Sequence, residues 1–311
     1  MFHNYIIIGE QKNMARVNAD AWVPEEYGSE VITRVNANSA VEAVARRYNM
    51  GSDVIEVPRM GAVSVDVIPK GTDYNDAEPV LDMVQLKARK FGKTFTIAEE
   101  DLKDTLVSTV KAFQAEWAVS YARKLDNAAI ACTGTENGTT VPFTSLYKAA
   151  GSGQKLASAG AVNYTKLSQV FGIYEGGDYA NDADTVVVAH PYFKGVFRGI
   201  VDNNGQPIFV EGLAGTPSTL FGVNVQFSYG LKLSTTATDA PTGTIGAAGT
   251  AGNPLLVVGN RQHLLLGVRS GPESLQGEDF RSDEKILKMR ARRGFGVARP
   301  EAFAILEATS A

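Results

Sequence analysis

The sequence predicts an α+β fold, and three observations carry that expectation. From Leu102 an apolar stripe (Leu106, Val110, Phe113, Trp117, Tyr121, Leu125, Ala128, Cys132) recurs at helical spacing, with no Pro or Gly before Gly134, the signature of a single long helix. Two other stretches, around 54–97 and 275–295, alternate apolar and polar side chains, as two-stranded ribbons do. Helical and strand-like segments are mixed without a βαβ rhythm, which argues against a doubly wound sheet.

Composition narrows the class. A chain of 311 residues, 44% hydrophobic and 21% charged, builds one large or two modest domains with a sizeable core. A formal net charge of −4 argues against a protein that condenses nucleic acid by charge. The lone Cys132 rules out an intrachain disulfide framework and fits a reducing compartment such as a bacterial cytoplasm. No run of about 18 apolar residues is present, so no membrane span is expected. Tyr5 to Ile8 lacks the basic flank and cleavage site of an export signal. Met14-Ala15-Arg16-Val17 offers a second natural start, leaving residues 1–13 as authentic or as an upstream extension.

Taken in order, residues 14–53 hold amphipathic pieces (Glu30-Val31-Ile32 and Val41 to Tyr48) too sparse to close a core. An arm with one short helix is expected there, ending at Met50-Gly51. Val54 to Met60 is apolar, and Val63, Val65 and Val67 alternate with Ser64 and Asp66, so strand is expected through both. Pro69 to Pro79 forms a polar tip, and strand returns from Val84 to Ile97. A two-stranded ribbon is marginal alone in water, so this one is expected to lie on another surface. Thr96-x-x-Glu99 is a capping-box pattern, and Glu99, Glu100 and Asp101 put acid at the positive end of the helix that follows. Residues 98–132 as one helix would be about 50 Å long, far above the mean of about 11–12 residues.

Beyond a Gly/Ser/Thr-rich crossing (134–163), Val162 to Gly176 is expected to be helical and Thr185 to Ala189 a buried strand. His190-Pro191 opens a helix to Val201, with Pro at a tolerated first-turn position. Asp202 to Gly205 is a turn into Ile208-Phe209-Val210, and Leu220 to Tyr229 supplies a strand pair. The Thr/Ala/Gly-rich 234–253 is expected to be a flexible loop or an insertion. Strands follow at Pro254 to Val258 and His263 to Val268. A second ribbon, Leu275 to Phe295, puts Ile286, Lys288, Arg290 and Arg292 on one face, and Ala302 to Leu306 closes the chain.

This order of elements resembles that of the major capsid proteins of tailed bacteriophages, whose type member is Hong Kong phage 97. Val84-Gln85-Leu86-Lys87-Ala88-Arg89-Lys90-Phe91-Gly92-Lys93 to Ile97-Ala98-Glu99-Glu100-Asp101-Leu102 is similar to the family's passage from extended loop to spine helix, and Arg123 to Ala128 to that helix's end. His190-Pro191 to Asp202-x-x-Gly205-Gln206-Pro207-Ile208-Phe209, then Thr219-Leu220-Phe221-Gly222-Val223-x-Val225, resembles the centre of the axial domain. Arg290-x-Arg292-x-Gly294 to Arg299-Pro300-Glu301-Ala302-Phe303 resembles the closing strands. The likeness covers roughly residues 20 to 311.

The resemblance implies an N-terminal arm (1–53), an extended loop (54–95), a peripheral domain with the spine helix (96–141 and 263–295) and an axial domain (142–262 and 296–311). It implies a structural protein that self-assembles into pentamers and hexamers of an icosahedral shell. That shell would enclose double-stranded DNA without sequence specificity, in a virion assembled in the host bacterial cytoplasm. A portal protein is the expected partner, with separate scaffolding and decoration proteins as further candidates. No coiled-coil segment precedes the arm, so a fused scaffold is not expected. The encapsulin-type compartment shell is the nearest alternative. A more distant one is an α+β hydrolase whose ribbon serves as a lid.

The expected inter-subunit contacts are Val63, Val65, Val67, Lys70, Asp73, Asp76 and Glu78 on the loop, with Lys288, Arg290 and Arg292 on the second ribbon. Some family members join a loop lysine to a neighbour's asparagine with a glutamate assisting, and Lys70 is placed to be that lysine. Anchored on Arg299-Pro300, the asparagine and glutamate positions fall at Asp283 and Arg290. A carboxylate cannot replace the carboxamide, and arginine is no base. No cross-link is therefore expected. Lys285, Lys288, Arg290, Arg292 and Arg293 read as a charged ribbon face meeting acidic neighbours in preference to packaged DNA. Asp178, Asp182 and Asp184 lack a calcium-loop pattern, and His3, His190 and His263 lack metal-ligand spacing. Gly246-x-x-Gly249-x-x-Gly252 does not lie between a strand and a helix, and neither a phosphate loop nor a nucleophile elbow occurs. No catalytic residue, metal or cofactor is expected.

Overall fold

Continuous apolar runs belong in strands buried on both faces and alternating runs in half-buried ones, and the chain sorts its strands accordingly into separate sheets. The computed structural model describes residues 38–310 apart from 62, 75–80, 105–108, 202–208, 211–217 and 280. It begins with α1 (Ala40–Val44), β1 (Arg46–Asn49), the ribbon strands β2 (Val54–Met60) and β3 (Leu81–Lys87), then β4 (Arg89–Ala98). The helices α2 (Glu99–Asp104) and α3 (Thr109–Asp126) follow, the latter ending in a π-helical turn at Asn127–Ala131. Next come α4 (Leu146–Ala149), β5 (Lys155–Ala157), α5 (Tyr164–Glu175), β6 (Thr185–Ala189) and α6 (Tyr192–Gly199). The last part holds β7 (Phe209–Val210), β8 (Thr219–Leu220), β9 (Val223–Phe227), β10 (Leu255–Asn260), the long hairpin β11 (Leu264–Asp279) and β12 (Glu284–Val297), and β13 (Phe303–Glu307).

Seven strands form one sheet in the order β5-β13-β10-β6-β9-β8-β7. Its central strands β10 and β13 are buried at every position. Their side chains divide with period two between two cores. Leu256, Val258, Ala304 and Leu306 meet Leu167, Val170 and Phe171 of α5 and Phe193 and Phe197 of α6. Leu255, Val257, Phe303 and Ile305 face the cluster around Leu125, Ile130, Leu231 and Leu233. Gly259, opposite Phe303 in the ladder, has no room for a side chain. A Cβ there would collide with the Phe303 ring and lie 2.8 Å from the Ala302 carbonyl oxygen. Gly259→Ala is therefore expected to cost about 2 kcal/mol or more by overpacking, read as a lowered urea midpoint of the unassembled chain.

The second sheet has the order β1-β11-β12-β4. β4 pairs with β12 from Arg89 to Ala98, so the end of the expected loop segment is tied into this sheet. Helix spans 99–104 and 109–131, which takes in the described residues of the apolar stripe as far as Ala128. Cys132, expected to be helical, is extended and bridges to Ser234, and 105–108 lie outside the described residues. The expected helices at Val162–Gly176 and Tyr192–Val201 and the strands at 185–189 and 302–306 are all found, to within a few residues. The expected turn at 202–205 lies outside the described residues. His190 accepts from the Tyr192 amide at its Nδ1, 3.1 Å away, capping α6 as a neutral imidazole. Burial, and next the Lys232 charge, hold its pKa down at about 4, from 6.5. The folded state then binds fewer protons than the unfolded one, so stability is expected to fall as pH drops from about 6.5 towards 4. His190→Asn, which keeps an acceptor, should flatten that slope in pH-dependent urea titrations.

Three expectations need correction. Residues 40–50 do not behave as an arm. Ala40, Val41 and Ala45 are buried in the main core, and β1 adds to β11 in parallel. The Val63–Val67 alternation makes no strand: β3 pairs only with Val54–Met60, and no strand among the described residues pairs with those valines. The 234–253 stretch is not a loose loop. Asn253, fully buried, accepts from the Gly246 amide (2.8 Å) and donates to the Ala247 carbonyl (2.7 Å) and Glu307 Oε1 (2.6 Å). The Gly249 amide donates to the same Glu307 oxygen. Buried polar groups that satisfy one another order a segment that composition alone marks as flexible.

Candidate assembly surfaces

The β2–β3 ribbon is two-faced by its period. Ile55, Val57, Val84 and Leu86 turn inward and pack with Met50 and Leu265. On the opposite face Met60, Leu81 and Met83 are exposed, and beyond the ribbon Val65 and Val67 are 92% and 99% exposed. Tyr74 is exposed as well. Apolar side chains thus stay exposed along one face of the ribbon and beyond it. The ribbon's base is clamped to its own subunit: Arg59 binds Asp82 and donates to the Ala298 carbonyl at 2.6 Å, and Arg299 donates to the Met60 carbonyl. The Arg59 guanidinium, and next the Met83 amide, hold the Asp82 carboxyl below its ordinary pKa. Lys70 and Asp73 lie exposed on the tip, where Thr72 N–H closes a turn on the Pro69 carbonyl. Asp76 and Glu78 lie outside the described residues.

The second ribbon's cations find their acids at home. Arg290 Nε lies 3.0 Å from Glu273, Arg292 2.8 Å from Asp53, and Lys285 3.6 Å from Glu278. The buried Arg293 reaches Glu42 at 2.8 Å. Within the single subunit, the acids beside these arginines lie in the same chain. Lys288 is exposed. Arg290's engagement with Glu273 and the position of Asp283 in the hairpin turn, where its carbonyl accepts from the Glu99 amide, give no carboxamide–base pair. Asp184, weighed as a calcium ligand, instead binds Arg261 at 2.9 Å and Gln262 at 3.2 Å.

Sequence reasoning missed a buried polar node that ties α1 and the 228–238 segment to α3. At the end of α3 the fully buried Asp126 carboxylate accepts from Ser39 Oγ (2.5 Å), the Ala40 and Val41 amides (2.9 and 3.0 Å) and Ser228 Oγ (2.6 Å). Burial pushes its pKa up, opposed by these hydrogen bonds. Beside it Asn127 donates to the Gly230 and Lys232 carbonyls, both at 2.9 Å, and accepts from Ser234 Oγ and the Thr238 amide. One pair of side chains therefore fastens α1 to one side of the helix and the 228–238 segment to the other. An Asp-Asn pair on the apolar side of a helix is the one signal that would have pointed to it.

Comparison with known proteins places the chain among shells. The family model described as the phage capsid family matches residues 20–308. No curated protein matches. A structure from Microbacterium phage Oxtober96 superposes with a TM-score of 0.69 at 15% identity, covering 96% of this chain and 100% of that one. One from Mycobacterium phage Ogopogo gives 0.70 at 13% identity over 95% and 100%. A third, described as the capsid of a native GTA particle computed with C5 symmetry, gives 0.66 at 15% identity over 96% and 100%. At these identities the likeness is one of fold.

Proposed function

The chain belongs to the phage capsid family, and from that premise we propose that this structural major capsid protein closes, as pentamers and hexamers, into an icosahedral shell around double-stranded DNA. The observation that carries the proposal is the ribbon, whose outer apolar face (Met60, Leu81, Met83) continues into the exposed Val63, Val65 and Val67. A subunit leaves such a surface open when other copies cover it. The seven-stranded sheet fits an axial domain meeting at capsomer centres, and the four-stranded sheet with α3 fits a peripheral one. Portal, scaffolding and decoration proteins are the further partners, and assembly takes place in the host cytoplasm before the chain resides in the virion. An encapsulin-type compartment is disfavoured because the matching model is that of phage capsids. The role is structural, with no catalytic step assigned. Electron microscopy of the purified chain tests this: closed shells are expected, and a small oligomer that never closes would refute it.

Mature particles are expected to carry no covalent bonds between subunits, since Asp283 and Arg290 stand where a carboxamide and a base are required. Boiling particles in detergent should release one species near 33.2 kDa; a ladder of multiples would overturn this. Cohesion then rests on interfaces of the obligate class, on the order of 2,000 Å² or more.

A further inference from the structure

A groove of about 480 Å³ runs between α3 and β4. Phe95 and Phe113 stack in it at 5.1 Å and Trp117 stacks on Tyr121 at 5.3 Å. Lys90, Lys93 and Lys124 lie along its edge and outnumber the acids Glu116 and Asp239. The surface is thus aromatic within and mostly cationic at the rim. The chain enters at one end of this groove. Ser39 is bonded to Asp126, and Tyr121 Oη donates to Glu42 at 2.7 Å. The sequence leading up to that point is complementary. Residues 20–30 contain Trp22 and Tyr27 with Asp20, Glu25, Glu26 and Glu30, and no Lys or Arg.

Reach is sufficient. From Phe113 to Lys124 the helix side of the groove is about 17 Å long, and residues 31–37, extended, span about 23 Å.

We propose that residues 20–30 dock in the α3–β4 groove of their own chain, with their rings against Phe95, Phe113 and Trp117 and their carboxylates towards Lys90, Lys93 and Lys124. Aromatic stacking supplies the attraction and the charges set the direction. The proposal concerns the single subunit and stands whether or not the chain closes shells.

Zero-length carbodiimide cross-linking of the full, unassembled chain tests it, using an equal mixture of ordinary and 15N-labelled protein. Glu25 or Glu26 should be joined to Lys90, Lys93 or Lys124 in peptides of a single isotope. Absence of these links, or links found only between differently labelled chains, would overturn the proposal. An optical test is independent of the cross-linker. The chain has 2 tryptophans, so Trp22→Phe leaves Trp117 as the sole reporter. Adding Glu25→Lys and Glu26→Lys should shift its emission to longer wavelength and increase acrylamide quenching, with the far-ultraviolet circular dichroism unchanged. Unchanged emission and quenching would count against docking.

Discussion

Chains in which residues 63–79 are replaced by a short Gly/Ser turn are expected to fold and yet fail to close normal shells. Folding should survive because none of the described residues in that stretch contributes to a core. Val63, Val65 and Val67 are exposed, and the ribbon below is held separately by its ladder from Val54–Lys87 to Met60–Leu81. Assembly should fail because the same segment carries some of the subunit's most exposed apolar side chains. Covering three valines contributes about 1.5–3 kcal/mol each, and the contribution repeats at every subunit of a shell. Loop closure by a shorter turn costs the monomer little. Circular dichroism should report an unchanged subunit while sedimentation and electron microscopy report open or aberrant assemblies. Normal shells would show the segment to be dispensable, and an unfolded monomer would show that it belongs to the subunit's own core.

The contrast between Val63–Val67 and Thr185–Ala189 shows how far the sequence could be read. Both runs are rich in β-branched residues. The second becomes a buried strand because β10 and β9 flank it within the same chain; the first has no such neighbour among the described residues and remains outside any strand. Period-two patterning reports that a face will be buried and is silent on which chain buries it. The helical stripe, α5, α6 and the closing strands were legible for the opposite reason, since their partners are local or lie in the same core. What composition could not show was polar satisfaction over long separations. The 243–253 segment looks flexible until Asn253 meets Glu307, and residues 40–50 look like an arm until Ser39 meets Asp126. The second ribbon's cations were legible as one face, but the acids they meet, Glu273 and Asp53, were not identifiable without the strand register and the packing around it.

Asp126→Ala is expected to be among the most destabilising single substitutions in the subunit. Its carboxylate is the shared acceptor for four donors, two of them amides at the start of α1. The Ser39 and Ser228 hydroxyls are able to rotate towards other acceptors, whereas the Ala40 and Val41 amides are fixed by the helix. Each buried donor left without a partner costs about 1–3 kcal/mol, so a loss of about 2–5 kcal/mol is expected. Since whole domains are stable by only about 5–15 kcal/mol, this is a large share. Asp126→Asn is not a rescue, because its amide nitrogen would face donors where an oxygen now accepts. Ser228→Ala, which removes one hydroxyl and leaves the α1 amides bonded, should cost about 1 kcal/mol. The damage should also be local in its first effect. With α1 released, β1 loses the residues that lead it into its parallel pairing with β11, and the β1 edge of that sheet frays. Urea midpoints of the unassembled variants give the ordering, and hydrogen exchange of the Arg46–Asn49 amides gives the location. An Asp126→Ala chain as stable as the parent, or one whose β1 amides stay protected, would mean that α1 is held by its apolar contacts and that the carboxylate is incidental.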